Sequence, residues 1–297
     1  MEACAEDTKG QTCYICTEAV HRHTGEGLVR GCACHTTEGF VHISCLAEQA
    51  KILVAEAEEN NLDDCQWHRW SRCRLCEQDC HGVVLCAMGW ACWKTYVGRP
   101  ERNWARLGAI TELGNGLGAA KHHEDALTVR EAELSMARRQ GAPEVIMLNV
   151  QSNLAGTYQA LGRKEQALHT RRDVYSGFLK LKGGENEKTL VAATNYARSL
   201  INLKCFDDAK ALMRNVMPVA RRVLGENREI TLRTRWIYAR AFYEDPAATF
   251  AHLCEAVATL ENTVRIARRV LGGAHPTTTR IEGDLRNARA VLATREG

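Results

Sequence analysis

The sequence predicts a mainly α-helical protein in which a small metal-binding α+β module is followed by an array of helical hairpins. Twelve of the 14 cysteines fall between Cys4 and Cys92. From about residue 104 onward the sequence repeats itself with a period of 42 residues. Charge divides at the same place, since residues 1–100 hold 9 Lys and Arg against 14 Asp and Glu, and residues 101–297 hold 30 against 22. An acidic cysteine-rich module therefore precedes a basic repetitive one.

Length and composition exclude several classes of protein. A chain of 297 residues suits about two domains, and 45% apolar with 25% charged residues is typical of a globular protein rather than a disordered or collagen-like one. The first residues are polar and acidic, and the most apolar stretch, 83–93, is shorter than the roughly 20 residues that a membrane span needs. We therefore expect an intracellular, cytoplasmic protein with no membrane span, in which paired cysteines bind metal rather than form disulfides.

Four pairs of potential metal ligands follow one another in the first hundred residues. They are Cys13 with Cys16, Cys32 with Cys34, His42 with Cys45, and Cys73 with Cys76. One or two residues separate the members of each pair, which lets both side chains reach a single ion. Eight such ligands predict two structural Zn²⁺ ions, and because no coordination position stays open, we expect no catalytic residue at the metal.

The order of these pairs resembles the RING-CH (RINGv) zinc finger, a variant RING of ubiquitin ligases. Supporting residues are Ile15 between the first ligands, Gly39 and Phe40 before the ligand histidine, Leu46 after the sixth ligand and Trp70 before the seventh. The resemblance implies a finger over residues 13–79 with a cross-brace. One zinc would bind Cys13, Cys16, His42 and Cys45, and the other Cys32, Cys34, Cys73 and Cys76.

The resemblance also implies a function. A RING-type E3 ubiquitin-protein transferase has no covalent catalytic residue, since it positions a conjugating enzyme that carries ubiquitin. The family's groove for that enzyme would fall on Ile15, Leu46 and Trp70, although these residues could instead be core. Many active RINGs have a basic residue after the last ligand, where this chain has Glu77.

Other segments of the first hundred residues have simpler interpretations. Residues 1–12 are predicted to be disordered, residues 47–60 to form a helix within the finger, and residues 80–103 to contain a connecting helix. A third metal could use Cys80, His81, Cys86 and Cys92, but their spacing favours buried thiols. We treat Cys4 and Cys65 as free thiols.

The body shows its repeat through matched residues at fixed offsets. NLAGTY begins at Asn153 and NYARSL at Asn195, and Gly183 recurs as Gly225, each 42 residues on. Predicted repeats span 104–142, 143–184, 185–226 and 227–273, and 274–297 is a capping half repeat. The units resemble tetratricopeptide repeats of the long kinesin light chain type, which implies an α-helical solenoid over residues 104–297.

In such arrays the first helix of each pair lines a binding face. The candidate peptide-binding residues are Asn149, Asn153, Asn195, Arg198, Arg235 and Arg240. Asparagine amides pair with a peptide backbone, and arginine forks onto carboxylates. Paired arginines late in the second helices suit helix C-termini, so we expect no nucleic-acid partner.

The two resemblances together predict a ubiquitin ligase. The finger would recruit a conjugating enzyme charged with ubiquitin, and the repeats would recruit a protein or peptide substrate. The alternative is a non-enzymatic zinc-binding scaffold or a kinesin light chain-like cargo adaptor. No sustained heptad pattern, which an adaptor of that kind would use to bind a heavy chain, is visible in the sequence.

Overall fold

The computed structural model describes residues 8–32, 39–62 and 66–296. In these ranges the chain is mainly helical, and its β structure is limited to two isolated antiparallel bridges, Val29 with Val41 and Arg72 with Asp79. The β part of the predicted α+β finger is thus reduced to these bridges, because tight turns at the ligand pairs shape the segment. Cys4, Cys34 and Cys65, and most of the segment predicted to be disordered, lie outside the described residues.

The first 143 residues form one compact unit. Its helices are α1 (Ile43–Glu59), a 3₁₀ turn (Trp67–Trp70), α2 (Gly82–Tyr96), α3 (Trp104–Ala119) and α4 (His123–Arg139). The predicted finger helix and connecting helix correspond to α1 and α2. The helices α3 and α4 match the predicted first repeat in their bounds, yet they belong to the same unit as the finger.

A close approach of α2 and α3 explains why α3 and α4 belong to the same unit as the finger. A Cβ atom added at Gly89 of α2 would lie 2.6 Å from the carbonyl oxygen of Glu112, and one at Gly116 of α3 would lie 2.7 Å from that of Leu85. The absence of side chains at these two glycines lets the backbones of α2 and α3 pack directly together. The first hairpin is therefore built onto the connecting helix.

Residues 144–297 form the second compact unit. Its helices are α5 (Glu144–Ala160), α6 (Lys164–Lys182), α7 (Glu187–Asn202), α8 (Phe206–Leu224), α9 (Glu229–Tyr243), α10 (Phe250–Val270) and α11 (Pro276–Glu296). They form three hairpins and one final helix, as the 42-residue period predicts. Gly183 and Gly225 follow α6 and α8 with φ of +78° and +81°, so the repeated glycine marks a helix end that needs a left-handed residue.

No helix in the described ranges has both the length and the apolar character needed to cross a membrane.

Candidate metal centre and peptide-binding face

Four ligand atoms meet at the start of α1. They belong to Cys13, Cys16, His42 and Cys45, and all lie within 4.8 Å of one another. His42 Nδ1 is 3.3 Å from Cys16 Sγ and 3.7 Å from Cys45 Sγ. Bonds of about 2.0–2.3 Å from one zinc to tetrahedral ligands would leave the ligand atoms at about these separations. Three sulfurs and one imidazole nitrogen, mostly buried, are a donor set that suits Zn²⁺.

Neighbouring backbone groups orient these donors. The amide of Ile15 donates to Cys13 Sγ at 3.4 Å, and the other ring nitrogen of His42 lies 3.5 Å from the carbonyl of Ala19. Such a contact selects the tautomer whose Nδ1 is free to bind a metal. Burial, followed by hydrogen bonds that the Cys45 thiol donates to Cys16 and Cys13, raises the pKa of Cys45 to about 12. A bound divalent cation would reverse this resistance of the Cys45 thiol to ionisation, because zinc binds the thiolate.

A second ligand group contains Cys32, Cys73 and Cys76, again within 4.8 Å of one another. Cys34, the predicted fourth ligand, lies outside the described residues. The two groups join the first ligand pair with the third, and the second pair with the fourth. This is the interleaved order that the cross-brace implies, and two clusters able to hold metal ions are therefore present.

Both Cys-x-x-Cys turns have the same hydrogen bonds. The amide of Cys13 donates to Glu18 and that of Cys73 to Gln78, at 3.0 and 2.9 Å. The amides of Thr17 and Glu77 donate back to the first cysteine of each turn at 2.8 and 3.0 Å. Two segments that are distant in sequence thus fold into the same ligand-presenting turn.

The other cysteines of this unit form no such group. Cys80, His81, Cys86 and Cys92 are all described, and none belongs to a cluster of three or more potential ligands. Cys92 is fully buried, and this burial raises the pKa of its thiol. The buried-thiol interpretation fits this arrangement better than a third metal site.

The predicted groove residues occupy different environments. Leu46 and Trp70 lie in the core of the unit, where the Trp70 ring packs edge-on against Tyr96 with centroids 5.9 Å apart. Of the three predicted residues, Ile15 is the one that lines a groove, whose volume is about 600 Å³. Trp70, which the resemblance places in the groove for the conjugating enzyme, is instead buried against Tyr96 of α2. Ile15, Leu46 and Trp70 therefore do not share one exposed surface.

Residues of α1, which the sequence analysis did not select, form the other wall of this groove. The lining also includes His21, Glu48, Ile52, Leu53 and Arg74. Ile52 is 46% exposed. An exposed aliphatic side chain on an otherwise amphipathic helix is the signal that could have identified this wall.

The predicted peptide-binding residues of the second unit also separate. Asn149 lines a cavity of about 470 Å³ together with Lys188 and Val191, which lie on α7. Arg235 is buried and paired with Glu226 at 2.8 Å, so this predicted binding residue is neutralised inside the structure. Glu226 lies in the turn between α8 and α9, and its contact with Arg235 makes this arginine unavailable to a peptide. Helix periodicity alone does not reveal such a contact.

Three of the remaining candidates, Asn195, Arg198 and Arg240, lie near three arginines that the sequence analysis missed. The Asn195 side chain accepts from Arg233, and its backbone carbonyl accepts from Arg171, both at 3.3 Å. Arg280 is the third. Arg198 and Arg240 occupy equivalent positions 42 residues apart, and Arg233 and Arg280 are separated by the 47-residue step of the last repeat. Aligning the repeats by these offsets could have identified both pairs. Asn153 is half-buried on α5.

Comparisons with solved structures agree with this architecture. A protein of Podosopora anserina, described as a kinesin light chain with nearly identical TPR-like repeats, superimposes with a TM-score of 0.51 at 22% identity, over 67% of this chain and 90% of the other. A single-residue variant of that protein gives 0.50 at 17% identity, over 77% and 97%. No protein-family model and no curated protein matches the sequence. The repeats thus have a TPR-like helical fold.

Proposed function

We propose that the chain is a ubiquitin ligase of the RING-CH type, in which the finger recruits a charged conjugating enzyme and the repeats recruit the substrate. The observation that supports this most directly is the interleaved grouping of Cys13, Cys16, His42 and Cys45 against Cys32, Cys73 and Cys76. Two zinc ions, the second completed by Cys34, would supply structural cross-links between distant segments when bound.

The groove beside α1 is the proposed docking site for the conjugating enzyme. Ile15 and Ile52 supply apolar surface, and Glu48 and Arg74 supply charges of both signs at its walls. An apolar centre with a polar margin is the usual form of a protein docking surface. In this proposal the chain contributes no nucleophile, and acceleration comes from holding the charged enzyme in a reactive orientation.

An autoubiquitination assay with a panel of conjugating enzymes tests the proposal. Ile15→Ala should reduce chain formation by about 5- to 30-fold while two zinc ions per chain remain by mass spectrometry, because loss of a central apolar anchor costs a docking surface about 1–2 kcal/mol. Cys32→Ser should lose both activity and one zinc. Val20→Ala is the control, since Val20 is an exposed aliphatic residue of the finger outside the groove. Absence of chains with every enzyme, from a protein with two bound zinc ions, would exclude a ligase.

A non-enzymatic zinc-binding scaffold is the second candidate, and two contacts favour it. Glu77, which follows the last ligand, pairs with Arg69 at 3.0 Å, and Asp79 pairs with Arg72 at 3.1 Å. Carboxylates replace the cation that many active RINGs use here. In this case the purified protein would bind zinc and a partner peptide but form no chains, and Glu77→Arg would leave the assay unchanged. Gain of activity in Glu77→Arg would instead favour a weakened ligase.

A further inference from the structure

Five arginines from four helices converge in the second unit. They are Arg171 of α6, Arg198 of α7, Arg233 and Arg240 of α9, and Arg280 of α11. Burial, followed by repulsion from the other four arginines, holds the pKa of Arg198 well below its usual range. Burial and repulsion from Arg233 likewise lower the pKa of Arg171 to about 10. These charges are therefore close enough to oppose one another.

Among the described residues, Arg171 and Arg233 donate hydrogen bonds to neutral groups only. Arg171 donates to the hydroxyl of Ser199 at 2.6 Å and to the Asn195 carbonyl at 3.3 Å. Arg233 donates to the amide oxygen of Asn195. The Nε of Arg198 is buried and has no hydrogen-bond partner in the part of the chain that the structure describes. These arginines thus have unused donors, although burying cations normally requires opposite charge.

Only Arg240 of the five has carboxylate partners among the described residues. It pairs with Glu244 at 2.6 Å and with Asp284 at 3.4 Å. The other four, including exposed Arg280, have no carboxylate within ion-pair distance in the described part of the chain. Five arginines against the carboxylates of Glu244 and Asp284 leave an excess of about three positive charges. Glu229 offsets part of this excess through its attraction to Arg233, and an external anion could balance the rest.

The number and origin of the donors select the kind of anion. A carboxylate has one charge and two oxygens, and a single arginine fork satisfies it. A phosphomonoester has a charge of about −1.5 to −2 at pH 7 and three strong acceptor oxygens. Four guanidiniums that approach from different helices match the phosphomonoester better.

A peptide could present that group from the neighbouring cavity. Val191, which lines the cavity with Asn149, lies seven residues before Arg198 on α7. Seven residues are two helical turns, so the two side chains lie on the same face about 10 Å apart. A peptide segment of three or four residues would span this distance.

We propose that this arginine cluster binds the phosphomonoester of a phosphoserine or phosphothreonine in a peptide that lies along the first helices of the repeats. The inference rests on the proposed role of the repeats in recruiting a protein partner. Phosphorylation of that partner would then control its recruitment.

Anisotropy titrations of the full chain with three labelled degenerate peptide libraries test the proposal. The libraries have a fixed central phosphoserine, serine or glutamate. The phosphoserine library should bind at least ~10-fold more tightly than the serine library, because charge-assisted hydrogen bonds from two or more arginines distinguish them. The preference should disappear in Arg198→Gln and weaken in exposed Arg280→Gln. It should persist in Arg222→Gln, which removes an arginine that pairs with Glu185 elsewhere on the unit.

Thermal unfolding supplies a second measurement. Pyrophosphate should raise the melting temperature of the wild type and of Arg222→Gln, but not that of Arg198→Gln. Equal binding of all three libraries by the wild type, or an unchanged preference in both cluster variants, would overturn the inference while leaving peptide recruitment intact. Tighter binding of a 5′-phosphorylated oligonucleotide or of phosphoinositide vesicles would overturn the choice of a peptide. Failure of every library to bind would count against both proposals.

Discussion

At the scale of single residues, the finger depends on backbone conformations that its residue types rarely adopt. Thr17 and Glu77 have φ of +63° and +55°, in the left-handed region that usually favours glycine. Each follows a Cys-x-x-Cys pair and donates its amide back into the turn. Because the turn aims both sulfurs at one point, metal binding would stabilise a conformation that costs the isolated segment about 1 kcal/mol or more.

Two glycines of α3 allow a sharp test at this scale. Gly116→Ala should destabilise the first unit by about 1–3 kcal/mol, because its Cβ would lie 2.7 Å from the Leu85 carbonyl oxygen and force α2 and α3 apart. Gly118→Ala, two residues later, meets nothing within 4 Å and should stabilise the helix by about 0.5–1 kcal/mol. Urea denaturation of both variants measures the difference. Equal effects of the two substitutions would contradict direct packing of the two helices.

At the scale of elements, the turn between α9 and α10 is longer than its counterparts. Six residues join these helices, whereas three join α7 to α8. The longer turn brings the buried carboxylate of Asp245 onto Lys210 of α8. Burial opposes the charged carboxylate, yet the hydrogen bonds from Lys210 and from the Ala247 amide hold the pKa of Asp245 below its usual value. The insertion therefore adds a charged contact between two hairpins.

Removal of the lysine tests this contact. Lys210→Met should destabilise the second unit by about 3–5 kcal/mol at pH 7, because it leaves a buried carboxylate unpaired. In the wild type the contribution is present above the ordinary carboxyl pKa of about 4 and is lost as the pH falls through the lowered pKa of Asp245. In denaturant titrations, the free energies of unfolding of the wild type and Lys210→Met should therefore differ less at pH 3 than at pH 7. A pH-independent difference would show that the effect comes from packing alone.

The helices of the second unit were predictable from the sequence because each repeat is set by residues close together in the chain. Several side-chain contacts were not predictable. The recurrence of Gly183 as Gly225 marks helix ends at fixed intervals, so hairpin bounds follow from the period. The pairing of Arg235 with Glu226 instead joins α9 to the turn that precedes it, and helix periodicity carries no sign of it. The burial of Trp70 under Tyr96 also depends on how α2 packs. Ligand spacing identified the metal clusters because a tetrahedral ion accepts few spacings, but an apolar partner groove imposes no comparable pattern.

At the scale of the whole molecule, two units use different sources of stability. The second unit has an extensive core built from Leu, Ile, Ala and aromatic residues of successive helices. The first has a smaller core in which the potential metal ligand Cys13 and its neighbours Phe40, Val41 and Leu46 take part. If zinc ions cross-link the two ligand groups of the first unit, their loss would disrupt part of the core of that unit and leave the core of the second unit intact.

Metal removal should accordingly act on one unit alone. Treatment with a zinc chelator should abolish the lower of two calorimetric transitions and shift the tryptophan emission to the red as Trp70 becomes exposed. The physical reason is that two bound zinc ions would contribute folding free energy of order 10 kcal/mol to the finger. The repeat transition should keep its temperature, and helical circular dichroism should fall only by the finger's share. Cys45→Ser should reproduce the effect of the chelator, whereas Cys254→Ser, at an exposed cysteine of the repeats, should not. If the chelator lowered the repeat transition as much as the finger transition, folding of the finger would support the repeats. By reciprocal coupling, a peptide bound to the repeats would then raise the affinity of the finger for zinc.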